Sequence, residues 1–148
     1  MSVIGEIRSF IYKECPCLDE FNERIKRVVG IEHLNEERKS YMVEASVTDK
    51  PIMKRYLDGS SERQFNFIFA SREYFGSDIA EALDVAEFYE DFSEWLEECT
   101  ETNNVPVLGE GKEVKKMVAT TNGYVFNADE TAAQYQIQCK IIYNQKAR

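Results

Sequence analysis

Histidine is almost missing from this chain of 148 residues; His33 is the only one. It sits in Ile31-Glu32-His33-Leu34-Asn35, where nothing local makes it half of a Cys–His nucleophile pair, and it reads as a surface histidine. Cysteine is sparse too, at Cys15, Cys17, Cys99 and Cys139. Cys15-Pro16-Cys17 has one residue between its thiols where a redox dithiol has two. Cys99 and Cys139 fall on faces expected to be buried, so the closed four-ligand set of a structural zinc is not assembled. The nucleophile elbow Gly-x-Ser-x-Gly, a phosphate-binding glycine loop and His-Glu-x-x-His are all absent. Gly109-Glu110-Gly111-Lys112 is too short for a nucleotide loop and lacks its flanking elements. No apolar run approaches the roughly 20 residues that cross a bilayer. Met1-Ser2-Val3-Ile4-Gly5-Glu6-Ile7-Arg8 also lacks the basic and apolar regions of a secretion signal. The chain is therefore expected in the cytoplasm with reduced thiols. The reading is of a protein that is not an enzyme, with no cofactor, no metal and no membrane contact; a small cytoplasmic enzyme is the remote alternative. No repeat, low-complexity stretch or linker divides it, so residues 1–148 are expected to form one domain with a loose tail over about 144–148.

What the chain has is aromatic bulk and alternation. Nine Phe, eight Tyr and one Trp supply a core. Tyr135, Ile137, Cys139, Ile141 and Tyr143 alternate with mostly amide or charged residues, the period of a strand with one dry face. Phe65, Phe67 and Phe69 share a face in the same way, and their partners Gln64 and Asn66 make a mild polar face suited to another protein surface. Tyr41, Val43, Ala45 and Val47 mark a further strand. Asp58-Gly59 predicts the turn of a long hairpin over 52–72, and Asn122-Gly123 predicts a second hairpin after a strand from Val114 to Thr121. Val3, Ile4, Ile7, Phe10 and Ile11 recur at helical spacing up to Pro16; Leu18, Phe21, Ile25 and Val28 suggest a second helical segment up to Gly30. The strongest helix carries Val85, Phe88, Tyr89, Phe92, Trp95, Leu96 and Cys99 as one apolar stripe, with Asp78 placed to cap a turn upstream. Glu87, Glu90, Asp91, Glu94, Glu97 and Glu98 fill its outer surface and read as a solvated face rather than an acid–base cluster. The fold class is α+β: mainly antiparallel sheet with long hairpins, packed on one side by amphipathic helices. A net charge of −9 argues against the concentrated cationic surface that grips phosphates.

Several segments resemble one family in shared order. They are Lys54-Arg55-Tyr56-Leu57-Asp58-Gly59-Ser60-Ser61, Gln64-Phe65-Asn66-Phe67, Ala70-Ser71-Arg72-Glu73, Phe88-Tyr89-Glu90-Asp91-Phe92 with Trp95-Leu96, and Tyr135-Gln136-Ile137-Gln138-Cys139. In these the chain resembles the small minor capsid or tail-completion proteins of long-tailed phages and prophages of Firmicutes, from about Ile7 to Tyr143. The resemblance implies a tail-terminator-like role: a hexameric ring that caps the head-proximal end of a tail tube in a virion or a phage-derived contractile particle, assembled in the host cytoplasm. Implied partners are further copies of the chain, the tail tube protein and a neck, collar or sheath protein. DNA would meet it only by passing through the lumen, which an acidic protein allows. A neck connector one ring higher is the alternative within the same assembly. Edge strands and hairpins supply such contacts by continuing a sheet or packing on a neighbour. The candidate interface residues are Lys54, Arg55, Tyr56, Asp58, Gly59, Ser60, Arg63, Arg72, Glu90 and Glu94. The basic members are expected to gather in the hairpin region and face the acidic helix of the next subunit.

Overall fold

The computed structural model describes residues 2–16, 41–74, 79–128 and 132–147. Expectations for Cys17, for the helical segment over 18–30, for His33 and for Asp78 fall outside these residues.

Two strands of fourteen residues each form the centre: β3 (Ser61–Tyr74) and β6 (Ala132–Gln145). They pair antiparallel without a slip, from Ser61 opposite Gln145 to Tyr74 opposite Ala132. β1 (Tyr41–Ala45) and β2 (Ile52–Arg55) both lie on the outer side of β3, β1 opposite residues 67–71 and β2 opposite 61–63. β4 (Lys112–Ala119) and β5 (Tyr124–Ala128) lie end to end on the outer side of β6 in the same way. The sheet has six strands but is four strands wide, and each outer strand comes in two pieces.

The breaks in those outer strands are tied down by side chains. Between β1 and β2, Asn66 O accepts from Ser46 N at 2.9 Å, its N–H donates to Thr48 Oγ1 at 3.1 Å, and its Nδ2 donates to Val47 O at 3.1 Å. Gln64 Nε2 donates to Lys50 O at 2.7 Å. Between β4 and β5, Thr120 N donates to Gln138 O at 2.7 Å and Gln138 N donates to Thr121 Oγ1 at 3.1 Å.

Two expected hairpins are corrected by this arrangement. The first has the expected turn, but its paired arms are short, because β1 and not β2 accompanies the distal half of β3. The Asn122-Gly123 hairpin does not form: β4 and β5 run in one direction along β6, and the chain reverses only after Ala128, which pairs with Ala133. Gly123 is required for a different reason. A Cβ there would lie 2.5 Å from Cβ and Cγ of Tyr89, so the link between β4 and β5 packs its backbone directly on that ring. Of the tail expected to be loose over about 144–148, Asn144 and Gln145 lie in β6. β6 continues to Gln145 because β3 and β4 both offer it partners, and Lys146 N then donates to Gly111 O at 2.8 Å.

One sheet face is dry. Val43, Phe67, Phe69, Met117, Ile137, Cys139 and Ile141 point into it and are buried. Helix α1 (Val3–Glu14) contributes Ile7 and Ile11, and helix α2 (Ile79–Thr102) contributes Phe88, Phe92 and Leu96. The Phe69 ring stacks on Phe92 at 4.5 Å and leans on Phe88 at 5.8 Å, which fastens the middle of the sheet to α2. Phe10 stacks on Trp95 at 5.6 Å, joining the two helices. α1 begins at Ser2, whose hydroxyl accepts from Gly5 N at 3.1 Å, and it holds β1 through Arg8 Nη2 donating to Val43 O at 3.2 Å. α2 ends where Asn103 turns left-handed, φ 57°, and Asn104 N donates to Cys99 O. Thr100 Oγ1 accepts from Met117 N at 2.9 Å, which anchors the last turn of α2 to β4.

Removing either ring of the central stack leaves a void in a closed core. Phe92→Ala is expected to lose about 3–5 kcal/mol, read from urea unfolding followed by circular dichroism. Gly123→Ala is expected to lose about 1–3 kcal/mol by overpacking against Tyr89. A Gly123→Ala protein with an unchanged denaturation midpoint would contradict the close contact.

Candidate interaction surface

The β2–β3 turn is closed by its own hydrogen bonds. Tyr56 N donates to Ser60 O at 2.9 Å, and Gly59 N donates to Tyr56 O at 3.0 Å. Gly59 has φ 90°, a conformation that side chains resist, and a Cβ there would approach Ala147 Cβ to 3.1 Å. Asp58 Oδ1 accepts from both Ser60 N (2.8 Å) and Ser60 Oγ (2.5 Å), an Asx turn that folds the carboxylate back into the loop. These two bonds, the hydroxyl first and the amide second, hold the Asp58 carboxyl below the usual carboxylate value. Lys54, Arg55 and Tyr56 are exposed beside it. Leu57 is fully exposed at the apex.

The expected basic cluster divides. Lys54 and Arg55 flank the tip, and Arg63 is half-buried with its Nε donating to Ser61 Oγ at 3.0 Å. Arg72 is opposite Gln134, nine positions further along β3, or roughly 30 Å at the rise of a strand. Sequence proximity within one long hairpin suggested a group of four. The single straight strand that carries both arginines sets them at opposite ends.

Glu90 and Glu94 are exposed on α2 and belong to another feature. They border an open groove of about 530 Å³ between α2 and the β4–β5 link, lined further by Tyr89, Thr121, Asn122, Gly123 and Ile137. Its floor is fixed from below. The Tyr89 hydroxyl donates to Tyr135 O at 2.9 Å and lies 2.7 Å from Ser71 Oγ, so this ring is tied to both central strands. Neither the groove nor Leu57 was singled out in the sequence; Asn122-Gly123 was the available signal, read as a turn.

On the second sheet face several amides are engaged within the chain, while Asn144 Oδ1 is buried without a partner among the described residues. Tyr124 Oη accepts from Gln136 Nε2 at 2.7 Å and from Gln138 Nε2 at 2.9 Å, while Gln64 and Asn66 hold the β1–β2 link. Other exposed apolar side chains sit at the perimeter: Val47 in the β1–β2 break, Val107 before β4, and Val125 and Phe126 on β5.

The thiols of Cys99 and Cys139 are buried rather than activated. Burial, with Glu98 and Glu14 adding repulsion, pushes Cys99 up to about 11, and burial alone pushes Cys139 up. Among the described residues no group of three or more His, Cys, Asp or Glu converges to hold a metal ion, and no helix is long and apolar enough to cross a membrane. No protein-family model and no curated protein matches the chain.

The Asx turn has a pH consequence. A carboxyl whose folded value is depressed stabilises the turn above its unfolded value of about 3.9, and that contribution disappears as pH falls through the folded value. Carbon-detected NMR titration is expected to place the Asp58 midpoint below the ordinary carboxylate value. Asp58→Asn is expected to reduce the acid-side slope of stability against pH. A midpoint at or above the ordinary carboxylate value would show that the Ser60 bonds do not persist in solution.

Proposed function

We propose that the chain is a structural assembly protein of the tail-terminator kind, a ring subunit that caps the head-proximal end of a tail tube and ends its growth. The observation that supports this most is the distribution of exposed apolar side chains. Leu57 and Tyr56 are exposed on the β2–β3 turn, Val47 on one outer edge of the sheet, and Val125 and Phe126 on the other. A ring subunit has a neighbour on each side and a tube ring beneath it, so it needs contact groups around its rim, not in one patch. The rigid two-layer body suits that use, since a sheet locked to two helices carries the rim groups with little internal motion. In this reading the partners are other copies of the chain, the tail tube protein and a neck, collar or sheath protein, with DNA passing through the lumen. The same resemblance in sequence that suggests the role covers both the turn and the acidic helix.

The test is deletion of the gene in a strain that produces the particle, followed by negative-stain imaging. Overlong tails are expected, with length control restored by the gene in trans. Free tails of normal length beside filled heads would assign the protein to the neck connector. Particles of unchanged form would remove it from tail assembly altogether.

A further inference from the structure

One peptide at the margin of the sheet is left chemically open. The link between β4 and β5 is anchored at both ends. Thr120 N donates to Gln138 O at 2.7 Å and Gln138 N donates to Thr121 Oγ1 at 3.1 Å on one side; Tyr124 Oη accepts from Gln136 and Gln138 on the other. Between these anchors lies the peptide from Asn122 to Gly123. Asn122 is exposed, and among the described residues neither its side chain nor the Gly123 N–H makes a hydrogen bond. Only the Asn122 carbonyl is engaged, accepting from Thr121 Oγ1 at 2.9 Å. A donor on that oxygen draws electron density from the peptide and makes the Gly123 N–H more acidic.

We infer that Asn122 is a site of spontaneous covalent modification, in which the Gly123 nitrogen attacks Asn122 Cγ and the link becomes an aspartyl or isoaspartyl peptide. The N–Cγ bond forms as Gly123 N loses its proton to solvent, and the Cγ–Nδ2 bond breaks, with that nitrogen leaving as ammonia. Water then opens the five-membered imide. Addition at the Cγ carbonyl gives aspartate, and addition at the main-chain carbonyl gives isoaspartate. Water is the only co-reactant. The inference is independent of the assembly reading above.

The structure separates Asn122 from the other asparagines among the described residues. After Asn103 the next nitrogen, that of Asn104, is committed to Cys99 O at 3.0 Å. After Asn104 comes Val105, whose β-branch crowds its own nitrogen. Asn66, Asn127 and Asn144 are each followed by a residue inside a paired strand. Asn122 alone joins an exposed side chain to a free nitrogen on a residue without a Cβ. Tyr89 acts in the opposite direction, because its ring lies against Gly123 and limits backbone rotation there. Closure is therefore slower than in the unfolded chain. It still needs only the exposed side chain to turn onto its own peptide, with no ladder bond broken.

The two products differ in what they do to the fold. Either adds a carboxylate to the groove that Glu90 and Glu94 border. Isoaspartate also lengthens the main chain by one methylene, inside a link fixed at both ends and packed on Tyr89.

Aging of the purified full chain at neutral and at mildly alkaline pH, followed by tryptic mapping, tests this. The peptide from Met117 to Lys140 is expected to gain about 1 Da, with fragment ions placing the change at Asn122 and not at Asn127. The gain is expected to be faster at the higher pH, because the attacking nitrogen must lose its proton. Asn122→Gln is expected to abolish it over the same period, and isoaspartyl methyltransferase is expected to label the aged wild type. The isoaspartyl fraction, separated by ion exchange, is expected to unfold at a lower denaturant midpoint than Asn122→Asp, which carries the same charge on a main chain of normal length. An unchanged Asn122 after a period in which the guanidinium-unfolded chain has converted overturns the site. So does a faster gain at Asn66, Asn103, Asn104, Asn127 or Asn144. An isoaspartyl fraction that unfolds with Asn122→Asp overturns the effect on the Tyr89 contact.

Discussion

Everything in this molecule is referred to the unbroken fourteen-residue ladder between β3 and β6. Because the two strands keep register from end to end, they bring Phe67 and Phe69 beside Cys139 and Ile137 on a single face, and α2 closes over that face through Phe88 and Phe92. A one-residue slip would send these rings to the opposite side, where Gln64, Asn66, Gln136 and Gln138 now stand. The outer strands depend on the ladder as well. None exceeds eight residues, and each takes its register from a central strand, not from its sequence neighbour.

Tyr89 links this interior to the surface. Its ring packs with Phe69 and Phe88, its hydroxyl reaches Tyr135 O and lies beside Ser71, and its outer side supports Gly123 and the wall of the groove. The shape of the groove is thus set by the same contacts that hold the core. The turn at the other edge is shaped locally instead, by Asp58, Ser60 and Gly59. One candidate surface inherits its rigidity from packing and the other makes its own from three residues.

The sequence made the α+β layers legible because both periodicities are clean. The odd-numbered residues from Tyr135 to Tyr143 and the three- and four-residue spacing from Val85 to Cys99 mark buried faces, and Ile137, Cys139, Phe88, Phe92 and Leu96 are indeed buried. Asp58-Gly59 was a reliable turn because its glycine is used for positive φ. Asn122-Gly123 misled because the same dipeptide is used for clearance, and clearance depends on Tyr89, a residue distant in sequence. Which outer strand accompanies which part of β3 is likewise a matter of pairing between distant segments, and alternation alone carries no information about it. Arg72 was grouped with Lys54 and Arg55 for that reason, and the groove beside Glu90 and Glu94 was invisible until α2 and the β4–β5 link were brought together. The implied ring and its partners come from resemblance in segment order and stand as the proposal made above.

The split outer strands have a consequence for how this protein can associate. A continuous, flat margin of unpaired amides and carbonyls invites indefinite stacking of sheets, the route to fibres. Here each margin is interrupted after a few residues, and the gaps are filled by Thr48, Asn66, Gln64 and Thr121 side chains. A foreign strand would find too short a template to zip along. Strand addition at either margin is thereby disfavoured.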